Sequence, residues 1–320
     1  MPRMKIIVTG GAGFIGSNLV DRLIALGHRV SVIDNLFTGF RRNLNSKARF
    51  YEADIRNSTA VHRILRREKP EVVCHHAAIA EVVKSIRDPL PTLEVNVQGT
   101  VNLLMAGGEC GIRRFLFAST GGAIYGEPAR LPAGEATPPV PLSPYGLSKL
   151  LGEECIRFYA RAFGFRYLLL RYPNVYGPRQ NPRGEAGVVA IFAGLMKAGD
   201  RPTIFGDGTK ARDYVHVDDV VRANLLGLRR GRDEILNLGW GKPVSDQEIY
   251  DTLARHLGIA HPPRYAPFRK GEVYRIALDA RRARQRLSWR PRVTLDEGVR
   301  TYLAATYPSL PKRSGTRLLQ

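Results

Sequence analysis

Tyr145 and Lys149 follow Ser143-Pro144 in a helix-like stretch. Four residues apart, they share one face of a helix. A free phenol, with pKa about 10, is a poor base near neutral pH. Bringing it to about 7 takes roughly 4 kcal/mol of favourable interaction with the phenolate. A nearby cation can supply this by favouring the ionised form. Such a pair is common by chance in helices, where it is surface packing, so its meaning depends on what else the chain carries.

A second motif lies near the start. Ile6-Ile7-Val8 reads as a strand and runs into Thr9-Gly10-Gly11-Ala12-Gly13-Phe14-Ile15-Gly16, after which an amphipathic helix begins. Glycines at 10, 13 and 16 permit a tight turn and close approach of the backbone to a pyrophosphate. The helix N-terminus adds unpaired N–H groups and the positive end of its dipole. Asp34 ends the next strand, 18 residues after Gly16. That position suits a carboxylate binding the adenosine ribose hydroxyls, and a carboxylate there favours NAD over NADP. Arg41 and Arg42 lie close enough in sequence to bear on that choice. Asp54 and Ile55, just after the third strand, could flank the adenine. Behind such a loop, Tyr145 and Lys149 become a proton-transfer pair. A phenolate can take a hydroxyl proton while hydride leaves the same carbon for the nicotinamide.

The elements that must position these residues alternate in type. Met4–Thr9, Arg29–Ile33, Val72–His75, Phe115–Ala118 and Tyr167–Leu170 are short apolar runs bounded by turns or charges, as buried parallel strands are. Ile15–Leu26, Ala60–Arg67 and Tyr145–Phe163 read as helices between them. Repeated β-α-β units predict an α/β fold, a Rossmann-like doubly wound parallel sheet covered on both faces. From Pro173 the pattern changes, with breaks at Gly177-Pro178 and Pro182-Arg183-Gly184. Ser245-Asp246-Gln247-Glu248 is a capping box that opens a helix. The expected organisation is a dinucleotide-binding domain over residues 1–172 and a smaller C-terminal α/β lobe over 173–308, with some chain crossing back. Residues 309–320 read as a frayed tail.

Composition bounds the rest. The chain has 320 residues, 44% hydrophobic and 24% charged, which excludes wholesale disorder. No apolar run approaches the ~18–20 residues of a membrane helix, and no signal-peptide pattern precedes the first strand. Cys74, Cys110 and Cys155 form no Cys-x-x-Cys pair, which argues against a disulfide framework or a metal site and for a reducing cytoplasm. Lys plus Arg is 49 and Asp plus Glu is 29, a net charge of +20. That excess raises nucleic acid as a partner, but no zinc finger, basic zipper or RNA-binding aromatic signature accompanies it. The clusters Arg229-Arg230-Gly231-Arg232 and Arg281-Arg282-Ala283-Arg284 are short. A silent dinucleotide sensor or a basic nucleic-acid binder is the non-enzyme alternative, and the intact Tyr145/Lys149 pair argues against it.

Together these features resemble the extended short-chain dehydrogenase/reductase family, and within it the UDP-glucose 4-epimerases, from Lys5 to about Tyr307. The matching stretches include Thr9–Ser17, Asp34–Gly39, His76-Ala77-Ala78, Asn96–Thr100, Tyr145–Lys149, Arg171–Arg179, Phe205–Gly208, Arg212–Asp219 and Arg269–Glu272. The run Gly184–Phe192 is similar to thermophile-type bacterial members. The resemblance implies that Gly10, Gly13, Phe14, Ile15 and Gly16 hold the NAD pyrophosphate. It implies that Asp34, Asn35, Thr38 and Gly39 hold the adenosine end. Ala77, Ala78 and Asn96 would line the nicotinamide side, with Tyr172 near the carboxamide. Asn174, the backbone near Val188 and Val189, Arg212 and Arg269 would grip the nucleoside diphosphate of a UDP-sugar, and Glu272 its ribose.

Two departures stand out. The family hydroxyl four residues before the tyrosine of a Val-Tyr-Gly-like segment falls here on Gly121, so Thr120 first and Ser119 second are expected to take that role. Glu272 stands where Asp is frequent. Related dehydratases carry Asp-Glu where this chain has Gly122-Ala123, which argues against elimination. The implied activity is inversion at C4 of a UDP-hexose through a transient 4-keto sugar. UDP-glucuronate and UDP-N-acetylhexosamine epimerisation are the alternatives on the same scaffold, and Ile276 sits where pocket size is thought to decide between them. The resemblance also implies a homodimer built on helices starting near Pro91 and at Tyr145.

Overall fold

The computed structural model describes residues 3–182, 187–269 and 273–308. The expected tail over 309–320 lies outside the described residues. The first half runs β1 (Lys5–Thr9), α1 (Phe14–Ala25), β2 (Arg29–Asp34), β3 (Arg49–Glu52), α2 (Ser58–Glu68) and β4 (Val72–His75). It continues through α3 (Val82–Arg87), α4 (Leu90–Leu93), a π-helical turn (Glu94–Gln98), α5 (Gly99–Glu109), β5 (Arg114–Thr120), α6 (Gly121–Ile124), α7 (Pro144–Phe163) and β6 (Arg166–Tyr172). Then follow β7 (Asn174–Tyr176), α8 (Val188–Lys197), β8 (Thr203–Phe205), β9 (Ala211–Arg212), β10 (Tyr214–His216), α9 (Val217–Gly227) and β11 (Glu234–Asn237). The described chain closes with β12 (Val244–Ser245), α10 (Asp246–Leu257), β13 (Arg264–Ala266), α11 (Arg281–Leu287) and α12 (Leu295–Thr306).

Seven strands form one parallel sheet in the order β11-β6-β5-β4-β1-β2-β3. The order reverses between β1 and β4, and the crevice at such a reversal is where α/β sheets bind ligands. Strand residues alternate between two cores, as the two-residue strand period requires. Ile6 and Val8 point into one with Leu19, Val220 and Trp289. Ile7 points into the other with Val61, Leu103 and Ile156. A third cluster, including Val189, Ile249 and Tyr302, holds the smaller lobe together. β11 lies well past residue 173 yet pairs with β6, so the chain returns to the main sheet.

Local chemistry sets the helix carrying Tyr145. The Ser143 hydroxyl accepts from Gly146 N at 3.2 Å, Pro144 fills the first turn, and Gly164 ends the helix at φ +78°. The Ser245/Glu248 capping box is present, and Thr294/Glu297 forms a second one that opens α12.

Trp289 is fully buried and its indole N–H donates to the Asp219 carbonyl at 2.8 Å, tying α9 to the turn after α11. Trp289→Ala should destabilise by about 3–5 kcal/mol, read as a lower urea midpoint. An unchanged midpoint would contradict the packing described here.

Candidate active site

The crevice is framed by the loops after β1, β2 and β4. Gly10 turns the chain at φ +69°, and a Cβ there would lie 2.7 Å from the Ala77 nitrogen of the facing loop. A Cβ on Gly16 would lie 2.1 Å from the Gly10 carbonyl oxygen, so the turn can close on α1 only with glycine there. Gly13 precedes α1 with no side-chain cap, and the first turn holds no acidic residue. The first-turn N–H groups of Phe14, Ile15 and Gly16 therefore have no intrahelical acceptor and face the crevice as anion donors.

Asp34 is buried at the end of β2. Its carboxylate accepts from Ala12 N at 2.9 Å and Leu36 N at 2.8 Å, while burial raises its pKa. Gly39 packs on Ala12, and Thr38 is exposed beside it. Asn35 donates to Asp54 at 3.0 Å, and Arg56 holds the Asp54 carboxyl below its ordinary range. Ile55 is buried under Gly99. Arg41 pairs with Glu52, and Arg42 stacks over Phe40 at 4.2 Å, so both arginines have other partners. A glycine cradle with no room for a Cβ, a ring of free N–H donors and a carboxylate beyond them fit a dinucleotide.

On the other side of the crevice, Thr9 Oγ1 accepts from His76 N at 3.2 Å and Ala77 N at 3.1 Å. This fastens the Ala77-Ala78 loop to β1. Asn96 lies in the π-helical turn, and π-bulges are frequent at functional sites. It holds Ile79 at both backbone groups, 2.8 and 2.9 Å, and donates to Ser148 at 2.9 Å, joining this loop to α7. The Tyr172 hydroxyl accepts from Asn224 at 2.7 Å and its ring stacks with His76.

Burial shifts Tyr145 and Lys149 in opposite senses. Desolvation pushes the Tyr145 phenol up to about 12, and a hydrogen bond with Thr120 draws it partly back. Desolvation lowers Lys149 to about 7, and the Glu153 charge opposes this. Lys149 Nζ donates to the Ala118 carbonyl at 2.9 Å and lies 4.8 Å from the Phe117 ring centre. Thr120 faces Tyr145, whereas the Ser119 hydroxyl donates to Glu153. Glu153 makes a bidentate pair with Arg171 at 2.9 and 2.6 Å, and Arg171 donates to Tyr125 at 2.8 Å. Neither Glu153 nor Arg171 was picked out as a site residue in the sequence. The signal was there for Glu153, which follows Tyr145 and Lys149 at the same four-residue interval.

The smaller lobe supplies the outer wall. Asn174 starts β7, and a Cβ on Gly122 would lie 3.3 Å from its side-chain oxygen. Gly121 has its own reason: a Cβ there would meet Leu278 at 2.3 Å, so Leu278 fills the space a side chain would need. Ile276 is buried in the same cluster as Ile124, Tyr125 and Leu278. Val188 and Val189 begin α8, with Val189 in the lobe core. Arg212 donates to the Tyr274 carbonyl at 2.9 Å. Arg269 lies 3.5 Å over the Phe205 ring. Glu272 lies outside the described residues. Asp213, also missed, accepts N–H groups from Trp240, Gly241 and Leu278 at 3.0–3.1 Å and is pushed up to about 6 by burial. It anchors this wall.

Fold and site together define a dinucleotide-binding α/β catalyst with a tyrosine–lysine pair. The chain belongs to the NAD dependent epimerase/dehydratase family, whose family model matches residues 6–239. It is 47% identical over 295 residues to a putative UDP-glucose 4-epimerase of Methanocaldococcus jannaschii, covering 92% of this chain and 96% of that one. It superposes on the UDP-glucose 4-epimerase of Thermotoga maritima with UDP-glucose at TM-score 0.94 and 46% identity, over 96% of this chain and 100% of that one. The Thermus thermophilus UDP-glucose 4-epimerase complex with NAD gives TM-score 0.91 and 42% identity, over 96% and 100%.

The Lys149 shift has a stability consequence. Its folded pKa of about 7 lies below its ordinary value, so the unfolded chain binds more protons between the two. Stability therefore rises with pH through that window. Compared with Lys149→Met, the natural chain should gain stability from pH 6 to pH 9 in urea unfolding. A difference independent of pH would contradict a buried ammonium.

Proposed function

We propose that this protein is an NAD-dependent UDP-glucose 4-epimerase, interconverting UDP-glucose and UDP-galactose through a transient 4-keto sugar. The observation that carries the reading is the half-buried Tyr145, hydrogen-bonded to Thr120 and one helical turn from the buried Lys149. Family membership and the names of the relatives support it. Bound NAD supplies a reversible hydride acceptor at C4 and a positive charge that favours phenolate. Tyr145 takes the 4-hydroxyl proton and returns it. Thr120 shares that proton's hydrogen bond, and Lys149 stabilises the phenolate. Gly10, Gly13, Phe14, Ile15 and Gly16 hold the pyrophosphate, and Asp34 the adenosine ribose. Arg212 and Arg269 hold the sugar nucleotide's diphosphate, whose tether lets the keto sugar present its other face. No carboxylate stands in the Gly121–Ile124 turn to protonate a leaving hydroxyl, which favours epimerisation over elimination.

We also propose a homodimer in a reducing cytoplasm, in keeping with the three free cysteines. Leu147, Leu151 and Phe158 form an exposed apolar stripe along α7, continued by Ile86 and Leu90 on neighbouring α3 and α4. Such a patch marks an interface. Among the described residues no helix is long and apolar enough to cross a membrane.

Purified protein should convert UDP-galactose to UDP-glucose without added reductant, and denaturation should release NAD. Tyr145→Phe should lower kcat by roughly 10²–10⁴-fold. A panel including UDP-glucuronate and UDP-N-acetylhexosamines reads the substrate directly. No conversion of any UDP-hexose would reject the proposal. Leu151→Glu with Phe158→Glu should convert a dimer into a folded monomer by sedimentation, and a dimer unaffected by both would place the interface elsewhere.

A further inference from the structure

Beyond Lys149, Arg212 and Arg269, the basic residues behind the +20 charge have no role in this chemistry. One concentration of the rest lies at the end of the sheet where its strands start. A parallel sheet gathers all its strand starts on one edge, whatever their separation in sequence. Arg113 and Arg114 stand at the start of β5, Arg166 at the start of β6, and Arg229 and Arg232 in the turn before β11. Register places Arg114 directly opposite Arg166, a like-charge pairing that is unfavourable alone. These five arginines line one open depression of about 390 Å³.

Carboxylates cover only part of this charge. Glu71 pairs with Arg113 at 3.2 Å, and Asp233 with Arg166 at 2.6 Å. Among the described residues no carboxylate lies within ion-pair distance of Arg114, Arg229 or Arg232. Arg114 is 7% exposed and donates to the Arg230 and Gly231 carbonyls, yet its buried Nε has no partner. His28, packed on Met4 at the same edge, has a buried and unpartnered Nε2. Burial and then the Arg229 charge lower its pKa. Three of the four arginines of α11 do have carboxylate partners. There Arg281 pairs with Asp279, and Arg282 and Arg286 pair with Glu234.

We propose that this basal depression binds a small oligophosphate of the pyrophosphate class. Five guanidiniums against two carboxylates leave three positive charges, which match a compact polyanion. Guanidinium forks pair with phosphate oxygens two bonds at a time. The apolar part of the lining is Met4, Val72 and Leu228, with no aromatic ring to stack a base. Single-stranded nucleic acid is held through such rings, so the lining favours phosphate groups alone.

The test is calorimetric titration of pyrophosphate into the holoenzyme with saturating UDP, which occupies any sugar-nucleotide diphosphate site. The expected result is saturable one-to-one binding that weakens steeply between 50 and 200 mM salt. The double variant R229E/R232E should weaken it by at least tenfold while conversion of UDP-galactose is unchanged. Both residues are exposed in a turn, so folding should persist, and circular dichroism checks it. Three results would overturn the proposal. One is no saturable binding at 50 mM salt. Another is equal affinity in the double variant. The third is tighter binding of a 20-nucleotide single strand than of pyrophosphate through these arginines, which would make the edge a nucleic-acid surface.

Discussion

Glu153 and Arg171 meet in a dry interior, with side chains 0% and 4% exposed. Isolated, either charge would be costly there, and the pair is tolerable only because its remaining hydrogen-bonding capacity is also met. Ser119 and Tyr125 meet it, and Tyr125 passes the network on to Asn237 at 2.8 Å. The network therefore joins β5, α7, β6, the turn after α6 and β11. Its position on α7 matters most. Glu153 lies one helical turn beyond Lys149 and two beyond Tyr145, so the pair fixes the rotation of the helix that presents both. Its negative charge also limits how far burial can depress the lysine. A stability element and an electrostatic element are thus the same side chain.

The crevice depends on a second constraint, which is steric. The loops after β1 and β4 touch at Gly10 and Ala77 with no room for a side chain. Thr9 and Asn96 then fasten the second loop from two sides, to β1 and to α7. A dinucleotide crevice of this kind is preorganised, because its walls are held by hydrogen bonds already satisfied within the protein. Burial leaves Tyr145 a neutral phenol and Lys149 easily deprotonated in the free protein. Additional positive charge in the crevice would favour the Tyr145 phenolate, as the proposed proton transfer requires.

The same parallel sheet explains the contrast between its two edges. Strand ends gather the glycine loop, Asp34, the Ala77-Ala78 loop and Thr120. Strand starts gather arginines that lie apart in the chain. Part of the high net charge is therefore locally organised at that edge, while three of the four arginines of α11 pair with Asp279 or Glu234.

Much of the site was legible in the sequence because it depends on near neighbours in the chain. The glycine spacing, the distance to Asp34, the shared face of Tyr145 and Lys149 and the Ser245 capping box are local geometry, and local geometry is written in spacing. The flanking hydroxyl was not. Ser119 and Thr120 are adjacent on β5 and point to opposite faces of the sheet, one toward Glu153 and the other toward Tyr145. Gly121 read as a departure from a pattern, and only packing showed Leu278, more than 150 residues away, filling the space above it. Sequence by itself determined the strand–loop–helix unit and the helix face shared by Tyr145 and Lys149. Tertiary structure decided which hydroxyl, which buried carboxylate and which arginines stand together. Strand order and side-chain packing, not distance along the chain, set those neighbours.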